Sequence, residues 1–204
     1  MGADSTRGES TRMSWGFCMV GNEEAFCKYL KLAFESTELW PFRYLEIGLG
    51  DLKTFMAVHD FLDNTYAHQC AIEMDGVDLP TWTRVPEPPR SRIVLMGSAS
   101  YFASSPDPAD FIFIDGCHAH TCCVQDFLGA ERIIRPGGIV CFHDVNPHIQ
   151  GQEKQPHCGQ PVNVRPAIEV LGLLNGTRSG WKFLEETTGD EQKGGRGCMF
   201  FQRE

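Results

Sequence analysis

The chain has 204 residues, of which 42% are hydrophobic, and a formal net charge of -9. That balance disfavours a nucleic-acid partner, because a sequence-independent grip on phosphates needs clustered Lys and Arg. No stretch approaches the ~20 apolar residues that cross a bilayer, and the first residues lack the apolar core of a secretion signal. A cytoplasmic protein without membrane attachment is expected.

The length fits one domain of ordinary size. Residues 1–14 are rich in Ser, Thr, Gly and charge and read as a disordered tail, leaving a single domain over 15–204. Met1-Gly2 with Thr6 fits the permissive N-myristoylation pattern, which a polar tail also matches by chance. Nine cysteines are present: Cys18, Cys27, Cys70, Cys117, Cys122, Cys123, Cys141, Cys158 and Cys198. Their odd number and irregular spacing point to reduced thiols rather than a disulfide framework. The run Cys117-His118-Ala119-His120-Thr121-Cys122-Cys123 is dense in soft ligands, but no second paired motif completes a zinc site.

In chain order, apolar residues at helical spacing predict a helix over Glu23–Phe34. Phe42–Ile47 reads as a buried strand, and Thr54–Leu62 as the helix after it. Gln69–Glu73 reads as a second short strand. Pro80–Arg90 carries too many prolines for anything but loop. Arg92–Met96 is a third strand, and Asp110–Ile114 a fourth whose continuous apolar run suits a sheet covered on both faces. A short helix fits between them. Cys122–Ile134 reads as a helix stopped at Pro136-Gly137-Gly138, followed by a strand over Ile139–Phe142. A long polar loop leads to a helix near Arg165–Leu174, and Trp181–Glu185 and Cys198–Gln202 close the chain as strands. This alternation predicts an α/β fold with a mostly parallel sheet and helices on both faces. Ligands of such sheets lie beyond the carboxyl ends of the strands.

Tyr44-Leu45-Glu46-Ile47-Gly48-Leu49-Gly50-Asp51-Leu52-Lys53-Thr54 joins a strand, a tight turn and a helix start. A dinucleotide fingerprint needs a third glycine where Lys53 stands. The acid in the motif suits a cationic amino group better than a pyrophosphate. The segment resembles the E-x-G-x-G motif of class I S-adenosylmethionine-dependent methyltransferases. That resemblance implies a seven-stranded Rossmann-like sheet with an antiparallel C-terminal hairpin. It also implies S-adenosylmethionine contacts from Glu46, Gly48, Gly50 and Thr54. Leu52 departs from the pattern, because the family often has a further glycine there.

After the second strand, Glu73 is the expected acid for the ribose hydroxyls, and Asp75 belongs to an Asp-Gly turn. After the third strand, Gly97 and Ser98 are expected beside the adenine; Ser98 is equally suited to cap a helix.

The next two strands end in Ile114-Asp115-Gly116-Cys117-His118 and Phe142-His143-Asp144. Neighbouring strands lie about 4.8 Å apart, so Asp115 and Asp144 can share one ligand. Two carboxylates with an imidazole suit a hard divalent cation such as Mg²⁺ or Mn²⁺. With Pro-Gly-Gly between them, these motifs resemble the small-molecule O-methyltransferases of the catechol and cephalosporin-pathway type. There the resemblance implies Asp115, His143 and Asp144 as metal ligands and Asp115 beside the cofactor. His118 stands where a general base would be, and orienting Asp115 is an equal alternative. Val145 stands where one branch has an amide ligand, and His143 where the other has an acid, which leaves the metal open.

The expected activity is methyl transfer to a small hydroxylated metabolite, with assistance from a divalent metal. A non-catalytic Rossmann-like nucleoside-binding protein is the alternative, and a nicotinamide oxidoreductase is opposed by Lys53 and the closing hairpin. The acceptor pocket is expected between Trp15–Met19, the Pro-rich loop and Pro147–Val164, with His148, His157 and Arg165 nearby. A homo-oligomer is compatible with the sequence.

Overall fold

The computed structural model of the chain describes residues 19, 21–37, 41–66, 68–80, 87–152, 154–155, 158–190 and 196–204. The expected tail, Trp15, most of the Pro-rich loop and His157 lie outside them.

Alternating burial organises the whole molecule. In β4 (Ala109–Ile114) every residue is buried. Phe111 and Phe113 pack with Phe26, Leu30 and Phe55, whereas Ile112 and Ile114 pack with Phe127 and Ile168. Successive strand side chains point to opposite faces, so a continuous apolar run requires a cover on each side. α1 (Glu23–Ser36) and α2 (Lys53–Tyr66) supply one cover. α3 (Ser98–Ala103), α4 (His120–Ile133) and α5 (Val164–Val170) supply the other. The predicted helical spacing is realised in α1, which buries Phe26, Tyr29, Leu30, Ala33 and Phe34. Phe26 meets Phe113 edge-on with centroids 5.0 Å apart, an arrangement worth ~0.5–1.5 kcal/mol beyond area burial.

The other strands are β1 (Phe42–Ile47), β2 (Ile72–Asp78), β3 (Ser91–Leu95), β5 (Ile134–His143), β6 (Trp181–Thr187) and β7 (Cys198–Arg203). They form one seven-stranded sheet in the order β3-β2-β1-β4-β5-β7-β6. β1 to β5 are parallel, and β7 runs antiparallel to both β5 and β6. The order reverses between β1 and β4, where a crevice opens for a ligand.

Two strands differ from their expected bounds. β2 begins at Ile72 and continues through Asp75-Gly76 to Asp78, so the expected Asp-Gly turn is strand interior. A Cβ at Gly76 would meet Leu49 Cδ2 at 2.6 Å, so the glycine makes room for the loop after β1. β5 starts at Ile134, upstream of the proline and glycines. Its pairing with β4 jumps from Ala109↔Ile134 to Phe111↔Ile139, so an irregularity absorbs Pro136-Gly137-Gly138.

Candidate active site

β1 ends in a turn clamped from both sides. The Gly48 N–H donates to Val77 O at 2.8 Å, and the Asp115 N–H donates to Ile47 O at 2.8 Å. Gly48 has φ +87°, and Leu52, opening the path into α2, has φ +64°. The leucine therefore adopts the left-handed conformation for which the resembled family often uses glycine. The ~1–2 kcal/mol cost of that conformation is offset by burial, since Leu52 is 8% exposed within the α1–α2 face of the core.

Beyond this turn lies a cavity of about 530 Å³. Gly48, Gly50, Gly97, Ser98 and Asp115, all expected at the cofactor, line it. Three other expected contacts do not. Glu46 is 1% exposed and accepts a hydrogen bond from the Tyr44 hydroxyl at 2.7 Å. Burial pushes its carboxyl well up, against the pull of that hydrogen bond, and Asp115 adds to the rise. Thr54 is buried in the first turn of α2. Glu73 is the clearest correction: it sits near the start of β2, at the opposite end of the sheet, paired with Arg43 at 2.7 Å.

The acid that does end β2 is Asp78. One of its oxygens accepts from the N–H groups of Leu49 at 2.9 Å and Gly50 at 3.2 Å, and it lines the cavity. The sequence does not single it out, because the expected strand ends at Glu73 and Asp75-Gly76 reads as a turn. Asp126 also lines the cavity, 3% exposed on α4. Burial raises its carboxyl to about 6, against a hydrogen bond from Ser98. An acid on the inner face of an amphipathic helix was the available signal. In the polar loop after β5, Gln155 reaches the cavity wall. Arg165 instead binds Glu186 and the Val145 carbonyl.

At the ends of β4 and β5 the expected residues converge. His118 Nε2 lies 3.1 Å from Asp115 Oδ1, and His143 Nδ1 lies 2.8 Å from the same oxygen. His118 Nδ1 is 2.8 Å from Asp144 Oδ2, an ion-pair distance without hydrogen-bond alignment. Asp144 reaches inward because its backbone turns left-handed, with φ +59°, a conformation that Asp tolerates better than most residues. Val145 is buried in the core, on the α3–α5 face.

Burial alone would lower the His118 pKa, but Asp115 and Asp144 reverse this and raise it to about 9. His143 is raised in the same way, again against burial. Both carboxyls are held low by the imidazoles despite their burial. The two carboxylates thus favour the protonated form of both imidazoles, and His118 is placed to orient Asp115.

The group also fits a metal. One ligand atom each from Asp115, His118, His143 and Asp144 can be chosen so that all lie within 4.8 Å of one another. Asp144 Oδ1 and His118 Nδ1 are buried without a hydrogen-bond partner, which a cation displacing the protons would supply.

Comparison with known proteins agrees with this geometry. A methyltransferase domain model matches residues 45–145, from β1 to just beyond Asp144. The matched stretch is a methyltransferase domain, and the sheet that carries it has the class I methyltransferase fold. No curated relative matches it. Among solved structures, the O-methyltransferase TomG of Streptomyces achromogenes, bound to SAM, is 13% identical with a TM-score of 0.59, over 95% of this chain and 92% of that one. The TDP-rhamnose 3'-O-methyltransferase of calicheamicin biosynthesis is 12% identical with a TM-score of 0.56, over 89% and 80%. The mycinamycin-pathway methyltransferase MycE, in complex with Mg, SAH and mycinamycin VI, is 17% identical with a TM-score of 0.52. That match covers 80% of this chain and 45% of MycE. Among the described residues, no helix of this methyltransferase is long and apolar enough to cross a membrane.

Proposed function

We propose that this methyltransferase methylates a hydroxyl group of a small molecule, with a divalent cation held by Asp115, His118, His143 and Asp144. The observation that carries the reading is that Asp115 belongs both to the cofactor cavity and to the ligand cluster. Bound there, S-adenosylmethionine supplies an electrophilic methyl group, and a cation supplies charge that lowers the pKa of an acceptor hydroxyl.

The chain's own residues position the reactants. Gly48 and Gly50, lacking side chains, let a ligand approach the backbone closely. Asp78 takes the ribose-binding role expected of Glu73, because its carboxylate faces the cavity and accepts hydroxyl protons. Gly97, Ser98 and Asp126 form the wall beside the adenine. Asp115 fixes the distance between methyl donor and acceptor oxygen, which is where most of the rate of an in-line displacement arises. His118 orients Asp115 through their 3.1 Å contact. Imidazole nitrogens suit Mn²⁺, Fe²⁺ or Zn²⁺ better than Mg²⁺, which prefers an all-oxygen shell. The Mg in MycE supports a cation in this fold, and TDP-rhamnose and mycinamycin VI, named for two of the neighbours, support a hydroxylated metabolite as acceptor. Free thiols at all eight described cysteines support a reducing, cytoplasmic location, and residues 15–204 are read as one domain.

Titration calorimetry with S-adenosylmethionine and S-adenosylhomocysteine, with and without Mn²⁺, tests the site. Methyl transfer from labelled cofactor to panels of sugars and phenols tests the acceptor. Absence of binding at millimolar ligand would overturn the reading. Transfer that is indifferent to chelators would remove the cation from it.

A further inference from the structure

A second group of reactive side chains stands on the cavity wall, apart from the charged cluster. Cys117 follows Asp115-Gly116 at the end of β4, and Cys122 lies in the first turn of α4; both line the cavity. Cys158 sits in a turn closed by hydrogen bonds from the Gly159 N–H to Gln155 O at 2.7 Å and from the Gln155 N–H to Gln160 O at 2.8 Å. Its Sγ lies 3.6 Å from Cys117 Sγ, across 41 residues of sequence. A disulfide bond is ~2.05 Å long, so the sulfurs need to close by about 1.5 Å. Cys158, Gly159 and Gln160 are all exposed, so no packed side chains oppose that approach from the Cys158 side. Cys158 is exposed and Cys117 only partly so, and Cys158 therefore meets an oxidant first.

We propose that Cys117 and Cys158 are a dithiol modification site, oxidised by small hydroperoxides to a disulfide that ties Cys158 and its neighbours Gly159 and Gln160 to the wall of the cofactor cavity. The Cys158 thiolate attacks the peroxide O–O bond, forming an S–O bond, and the leaving hydroxide takes up the thiol proton as water. Cys117 Sγ then attacks the sulfur of that sulfenic acid. The S–S bond forms, the S–O bond breaks, and a second water leaves with the Cys117 proton. Two thiols lose two electrons, and the peroxide gains them. Gln155, three residues before Cys158, lines the cavity, so the bond fixes one edge of the pocket. This last consequence rests on the proposed cofactor site; the bond itself does not.

The test uses the full chain treated with hydrogen peroxide, alkylated, digested without reduction and analysed by mass spectrometry. A Cys117–Cys158 linked peptide pair that dithiothreitol removes is expected. C117S and C158S should each lack it, and C122S should retain it. Recovery of both cysteines as separate alkylated or over-oxidised peptides would overturn the proposal, as would a bond that forms only through Cys122. For the cavity, calorimetry should show S-adenosylhomocysteine bound at least about threefold more weakly by the crosslinked chain. Equal affinity would remove the coupling. No binding by the reduced chain would count against the cofactor site and leave the crosslink standing.

Discussion

A Cβ added to Gly48 would lie 2.3 Å from the backbone oxygen of Asp115. The turn after β1 and the acid after β4 are thus packed backbone to backbone, and neither can move without the other. Gly48→Ala is expected to lower cofactor affinity tenfold or more and to cost ~1–3 kcal/mol of stability, as other overpacked sites do, with added strain from the positive φ. Calorimetry and urea unfolding measure the two effects; wild-type affinity in the alanine variant would show that the turn is not the cofactor site.

Asp78 and Glu73 make opposite predictions. Asp78→Asn should weaken S-adenosylhomocysteine binding by ~1.5–3 kcal/mol, the range for hydrogen bonds to a charged group. Glu73→Gln should leave it unchanged and cost less than about 1 kcal/mol of stability, because its pairing with Arg43 is largely exposed. The reverse pattern in a titration series would restore Glu73 to the site.

Asp126 gives a pH signature. Its folded-state pKa of about 6 lies above the ~3.9 of an unfolded Asp. The folded state therefore holds the proton more tightly, and stability falls as pH rises from about 4 to above 6. A shift of this size corresponds to a loss on the order of 3 kcal/mol. Asp126→Asn should be more stable than the parent at pH 7.5 and equal to it near pH 4. Urea unfolding across that window decides; parallel stability curves would mean that the carboxyl is not raised.

At the Asp115–His118–His143–Asp144 cluster, a cation has to displace the imidazole protons. Affinity for Mn²⁺ should rise with pH as His118 approaches its pKa of about 9. Calorimetry in buffers of different ionisation enthalpy should detect protons released on binding. His143→Ala should weaken the metal at least tenfold. Metal binding without proton release would show that the imidazoles are not ligands.

Leu52 carries strain and burial together. Leu52→Gly relieves the left-handed backbone but empties a buried site, where leucine truncation costs ~2–5 kcal/mol. A net loss of ~1–3 kcal/mol is expected by urea unfolding, and a more stable glycine variant would contradict it.

Much of this was legible in the sequence. The apolar runs of β1 and β4 and the helical period of α1 mark buried elements directly, and strand order alone brings Asp115 to Asp144. Bounds failed where local chemistry was overruled by packing. Asp75-Gly76 has the composition of a turn, but Gly76 is needed so that Leu49 can lie against β2. Pro136-Gly137-Gly138 has the composition of a strand break, but an irregular pairing accommodates it. The longer strand puts Glu73 near its start and Asp78 at its carboxyl end, beside the cavity. The charge state of the cluster was not legible, since it depends on both histidines sharing one carboxylate oxygen. The partner of Glu46 was not legible either: its face of β1 turns it toward Tyr44.

The reversed direction of β7 has a temporal consequence. Because that strand enters from the opposite side, the segment just before it arrives beside the carboxyl ends of β4 and β5. The Arg196 guanidinium lies 3.6 Å from Asp144 Oδ1, and the Arg196 carbonyl accepts from the Asn146 N–H at 3.1 Å. During synthesis, β1 to β5 leave the ribosome before the residues that complete the electrostatics around Asp144. The charge balance around Asp144 is therefore complete only in a chain that includes the segment leading into the final strand.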